Sequence, residues 1–251
     1  MRDSVSDVLR SKPYLAWSFG LFTGSLVRWY VEGHTEYYAI IESVGDPQKF
    51  GVVLVNLRGN IKSGRDNAAV KLEEWLMEDK ALRRFSIISF DLDVPENMKA
   101  IRRQVQMDNI VGSISPHNPD FEFANFSVKE LVEVAAGIDE SHGCSGDAVR
   151  KANWDDVKTG RAFEETYRKV SNRTPGKLKG EEWGRALAKY ALEHPNRVDD
   201  GGKRPFWRDI RAALLGLFSN YDSTKGSRGF DEETLQPIDR KPEVETSEDL
   251  T

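Results

Sequence analysis

The stretch LVRWYVEGHTEYYAIIES, residues 26–43, decides the fold. Its first six residues are apolar, β-branched or aromatic apart from Arg28, a composition that suits a strand. The run stops at Glu32-Gly33. Thr35 then stands where a helix N-cap belongs, and Tyr38, Ile41 and Tyr37 can share one face of a short helix over Thr35–Ser43. A strand feeding straight into a helix opens a βα unit, and the same grammar repeats downstream. FGVVLVNL (50–57) reads as a second strand, buried on both faces by its continuous apolar run. Asn67–Leu82 is an amphipathic helix, with Val70, Leu72, Trp75, Leu76 and Leu82 apolar and Glu73, Glu74, Glu78 and Asp79 solvated. FSIISF (85–90) is a third strand and Glu96–Asp108 a third helix. Ile110–Ile114 is a short fourth strand ahead of a Pro/Asn/His loop, and Phe126–Ala136 is a fourth helix. The alternation predicts an α/β fold, a mostly parallel four-stranded sheet flanked by helices.

Beyond Gly137 the pattern changes. Helices are predicted at about Arg161–Asn172, Glu181–Leu192 and Trp207–Phe218, separated by polar loops, and together they suggest a C-terminal helical appendage. The expected organisation is a lead-in over 1–24, the α/β domain over 25–138, the appendage over 139–230 and an acidic tail over 231–251. That tail has two prolines and almost nothing apolar, so it is expected to stay disordered.

The 251 residues are 39% hydrophobic, enough to bury a core. No run of about 18 apolar residues is present, which argues against a membrane span. Residues 1–12 lack the pattern of a secretory signal, and the single cysteine, Cys144, rules out an internal disulfide. A cytoplasmic, reducing setting is the expectation. The net charge of −5 is unevenly spread. Residues 1–149 carry 16 Lys/Arg against 22 Asp/Glu, residues 150–211 carry 16 against 10, and the tail carries 2 against 8. An acidic front and a basic third quarter fit an acidic metal site beside a phosphate-binding surface.

Acids at the C-terminal ends of parallel strands face the crevice where open α/β sheets place their sites. Glu32 leaves the first strand that way, and Asp91 and Asp93 leave the third. Residues i and i+2 of an extended chain point to one side, so both carboxylates of the DxD pair can face one hard divalent cation.

These residues carry a resemblance. WYVEGHTEYYAI, followed by SFDLDV with Asp91 59 residues after Glu32, resembles the Toprim domain of topoisomerases, bacterial primases, small RNases and the overcoming-lysogenization-defect (OLD) nucleases. Glu32, Gly33, Asp91, Leu92 and Asp93 match its pattern, and the likeness covers roughly residues 25–136. The second acid, Glu36, makes the chain most similar to the OLD-type nucleases. The resemblance implies a Toprim-like sheet and a nuclease that cuts DNA or RNA with two Mg2+ or Mn2+ ions. Glu32, Asp91 and Asp93 would hold the first ion, and Glu36, Asp120 and Glu122 would contribute to the second. Lys177 or Lys179 would be the distal lysine. It also implies a role in anti-phage defence. The chain has no GxxxxGK[ST] run, so it acts alone or an ATPase or sensor comes from a separate chain; a homo-oligomer is compatible. Arg173, Lys177, Lys179, Lys203 and Arg204 lie in Gly/Pro-containing loops where flexible cations can follow a phosphate backbone. The rival reading is a binding or scaffolding subunit with vestigial acids, whose Trp183 and Trp207 face a partner chain.

Overall fold

The computed structural model describes residues 27–59, 68–82, 84–173, 177–216, 228–231, 233–235 and 237–239. Four strands, β1 (Val27–Val31), β2 (Val52–Asn56), β3 (Phe85–Asp91) and β4 (Gly112–His117), form one sheet in the order β2-β1-β3-β4. All pairings are parallel, with Val27 opposite Val52, Val31 opposite Ser89 and Asp91 opposite His117. The α/β class read from the sequence is therefore the observed one. The chain leaves β1 toward β2 and returns on the other side of β1 as β3, so the topological switch point lies between β1 and β3.

Side-chain alternation along the strands divides the core into two. Val27, Trp29, Val31 and Ile87 pack on one face, and Tyr30, Ile88, Phe90 and Ile114 on the other. The second face is covered by α2 (Ala68–Ala81), through Leu72 and Leu76, and α3 (Pro95–Gln106), through Ile101 and Val105. The first is covered by α1 (His34–Val44) and by the helices of the C-terminal half. These are α4 (Phe121–Asn125), α5 (Val128–Ser141), α6 (Asp147–Lys151), α7 (Gly160–Val170), α8 (Glu181–Glu193) and α9 (Pro205–Gly216).

The helices expected beyond Gly137 are present, and they pack on the sheet. Phe163, Tyr167, Trp183, Leu187, Phe206 and Ala213 belong to the same buried cluster as Val27 and Trp29, so these helices form one layer of a three-layer unit. Helix α8 lies directly on α1 because Gly184 has no side chain. A Cβ there would stand 2.3 Å from the Thr35 carbonyl oxygen. The Gly180 amide also donates to Thr35 Oγ1, and Arg185 Nη1 pairs with Glu42 at 2.7 Å. Trp183 is fully buried and stacks on Phe163, and the Trp207 indole donates to the Pro195 carbonyl. The expectation that Trp183 faces a partner is thereby overturned.

The tail expectation is corrected in part. A short antiparallel pair joins β5 (Arg228–Phe230) to β6 (Pro237–Asp239), and Phe230 and Leu235 are buried with Tyr30, Ile101 and Val105. The lead-in 1–24 and residues 240–251 lie outside the described residues. No helix among the described residues is long and apolar enough to cross a membrane.

Candidate metal centre

The C-terminal ends of β1, β3 and β4 bring Glu32, Asp91 and His117 to one crevice at the switch point. Glu32 is buried, and its Oε2 accepts from the Asp91 amide at 2.9 Å and from Asn97 Nδ2 at 2.7 Å. Asn97 comes from the first turn of α3, which Pro95 starts. Glu36 sits one turn into α1, where its Oε2 accepts from the Gly33 amide at 3.1 Å and helps cap the helix. Its other oxygen, Oε1, faces inward.

Three polar atoms meet there without a hydrogen-bond partner: Glu36 Oε1, Asp91 Oδ1 and His117 Nδ1. They lie within 4.8 Å of one another. His117 Nδ1 is 3.1 Å from Glu36 Oε1 and 3.6 Å from Asp91 Oδ1, yet lines up for a hydrogen bond with neither. Buried polar atoms left unpaired cost about 1–3 kcal/mol each, and a convergent trio of this kind can serve as the donor set of a cation. The residues fit a divalent metal.

The electrostatics agree. Burial, followed by the nearby Asp91 charge, pushes the Glu32 carboxyl up to about 8. Burial raises Asp91 to about 7, with His117 opposing and Glu36 adding to the rise. Glu122, half-buried, is pushed to about 8 by desolvation and then by the charges of Asp120 and Asp91. Burial alone would lower the His117 pKa, but the carboxylates of Asp209, Asp91 and Glu36 around the ring outweigh that and hold it well above the ordinary value. Carboxylates this reluctant to ionise together are relieved by a positive ion between them.

The remaining expected residues are placed differently. β3 ends at Asp91, and the chain then bends, with the amides of Leu92 and Asp93 donating to the Pro119 carbonyl. Asp93 is exposed, and its charge adds to the rise in the pKa of Glu32 and Asp120. Burial raises its pKa while the Lys179 and Arg161 cations counter it, so these two cations stand near Asp93. Asp120 caps α4 through the Phe123 amide at 2.9 Å and takes the Gly160 amide, at the start of α7, at 2.6 Å. Gly160 fits against this pair closely: a Cβ there would lie 3.0 Å from Glu122 Oε2. Glu122 Oε1 accepts from the Trp183 indole at 3.1 Å. Asp120 and Glu122 thus form a second acidic group beside the first. The sequence reading put Glu36 and Asp91 on different ions, whereas here they share one cluster.

His117 and Asp209 were not anticipated. The sequence pattern puts His117 in a loop, because the apolar Ile110 and Val111 draw the strand too early, whereas β4 runs from Gly112 to His117. Its position as the last residue of a parallel strand, in register with Asp91, is the signal that would have found it.

The cationic surface is smaller than the count of basic residues suggests. Arg204 is a correction: it is fully buried, paired to Glu130 Oε1 at 2.7 Å, bonded to the Asn125, His194 and Asn196 carbonyls, and stacked over Phe126. A guanidinium so enclosed does not reach a phosphate. Arg173 has a largely covered side chain that pairs with Glu182 at 2.6 Å, so it also departs from a flexible loop cation. Lys179 pairs with Glu164 at 3.2 Å yet remains exposed, and Lys177 and Lys203 are exposed. No family model, no curated protein and no solved structure matches this chain.

Proposed function

We propose that the protein is a metal-dependent phosphodiesterase of the Toprim type that hydrolyses DNA or RNA. The observation carrying this reading is the convergence of Glu36 Oε1, Asp91 Oδ1 and His117 Nδ1, buried and unpaired, at the switch point of a parallel sheet. Support also comes from the agreement of the EGHTE and DLD segments with the strand ends at which the resemblance puts its ligands.

In this reading Glu36 and Asp91 supply oxygen ligands, and Glu32 is held by Asn97 and the Asp91 amide at the back of the cluster. A divalent ion there would polarise the phosphodiester and lower the pKa of a water. Asp120 and Glu122, fixed by the amides of Phe123 and Gly160 and by the Trp183 indole, would contribute to a second ion. Lys179, near Asp93 at the exposed edge of the cluster, is favoured over Lys177 as the cation that meets the phosphate. By the same resemblance, the protein would act in anti-phage defence, with an ATPase or sensor on another chain.

The test is cleavage of plasmid, linear DNA, tRNA and rRNA with Mg2+ or Mn2+, comparing wild type with Asp91→Asn and Asp120→Asn. Metal-dependent cleavage lost in Asp91→Asn is the expected result. Cleavage undiminished in that folded variant would refute the assignment.

A further inference from the structure

His117 is held from behind. Its Nε2 is 3.3 Å from Asp209 Oδ2, and Asp209 Oδ1 accepts from Ser115 Oγ at 2.6 Å. Ser115 and His117 are i and i+2 on β4 and point to the same side, so one carboxylate from α9 ties both to a single position. All three side chains are buried, and the Phe121 ring packs edge-on to the imidazole with centroids 5.4 Å apart. These contacts hold the ring on both its edge and its face.

This arrangement decides which nitrogen is free. In the neutral ring, with Nε2–H donating to Asp209, Nδ1 carries the lone pair, and it is the atom that faces Glu36 and Asp91, where a bound cation would take the place of the Nδ1 proton. A carboxylate behind the far ring nitrogen is the usual support of a metal-bound imidazole, fixing its tautomer and raising its basicity. Nitrogen ligation changes the preferred ion, since imidazole suits borderline transition metals while all-oxygen sites suit Mg2+.

We propose that His117 is the nitrogen ligand of the ion shared with Glu36 and Asp91, that Asp209 is its positioning residue, and that the site therefore takes Mn2+, Co2+ or Zn2+ in preference to Mg2+. The inference rests on the metal-centre reading above and adds to it the ligand type, its support from α9 and the class of ion.

Pulsed EPR of the full chain loaded with one equivalent of Mn2+ tests the ligation, and calorimetric titration with Mn2+, Co2+ and Mg2+ tests the preference. Wild type should show 14N coupling from one bound imidazole, absent in His117→Gln. Mn2+ and Co2+ should bind at least about tenfold more tightly than Mg2+, with the ratio collapsing in His117→Gln. Asp209→Asn offers an amide that can donate to Nε2, which moves the ring proton to Nδ1, and should weaken Mn2+ about 10–100-fold. The wild-type spectrum decides the ligation even if a variant fails to fold. Tight Mn2+ binding that depends on Asp91 but shows no 14N coupling would overturn the inference and leave the phosphodiesterase reading standing. Failure of every ion to bind would remove both.

Discussion

Without metal, the protein should lose stability as the pH rises from 5 to 8, against the common pattern in which carboxylates stabilise a fold on ionising. Glu32 is held up from 4.5 to about 8, Asp91 from 3.8 to about 7 and Glu122 from 4.5 to about 8. In each case the folded chain keeps a proton that the unfolded chain has released. The stabilisation is complete below the unfolded value and is lost as the pH climbs through the folded one. His117, held above its ordinary value, acts in the same direction. One pKa unit is about 1.4 kcal/mol, so Glu32 alone corresponds to about 5 kcal/mol between its two values. The three carboxylates raise one another, so their contributions overlap and the sum is not three times this. A loss of about 5 kcal/mol is comparable to the whole stability of many domains and, at about 2–4 °C per kcal/mol, lowers Tm by roughly 10–20 °C. The assay is calorimetry in a chelator at pH 5, 6, 7 and 8, repeated with Mn2+. The ion should restore Tm at pH 8 and do little at pH 5, where protons hold the same oxygens. Glu32→Gln should flatten the chelator curve. A wild-type Tm that stays level or rises from pH 5 to 8 in chelator would refute the reasoning.

The remaining predictions concern packing and charge. Leu235→Ala removes a buried side chain from the sheet's second face and should cost about 2–5 kcal/mol, read as a lower urea midpoint. Glu130→Gln leaves Arg204 buried without its counter-charge and should cost about 3–5 kcal/mol, whereas Lys203→Ala should change the midpoint little. Gly184→Ala forces α8 away from Thr35 and should weaken metal binding as well as lower Tm, because α1 carries Glu36. Lys179→Ala should reduce the cleavage rate more than Lys177→Ala does, with substrate affinity measured on the same variants.

The sheet was legible because β1 and β3 are central strands, and burial on both sides forces runs such as Trp29–Val31 and Ile87–Ile88 to be apolar. β4 was harder. Its sequence, Gly-Ser-Ile-Ser-Pro-His, has little β-propensity, and it is an edge strand held by pairing with β3. That displaced reading hid His117. Glu32, Glu36 and Asp91 were legible because each lies next to a strand end or helix start. Asp209 was not, since nothing local marks an acid between arginines on α9 as the support of a histidine 92 residues earlier. Arg204 misled for the converse reason: a basic residue between Gly-Gly-Lys and Pro looks like a loop cation, and only the tertiary fold reveals the Glu130 carboxylate beneath it.

The bond between α9 and β4 also sets an order of events. At translation rates of roughly 5–20 residues per second, the 92 residues separating His117 from Asp209 emerge over about 5–20 seconds. During that interval a growing chain has its carboxylates but nothing to fix the imidazole. The same holds for any product cut short before α9. The site is therefore completed late in synthesis, and a chain that has not folded α9 lacks the positioned ring.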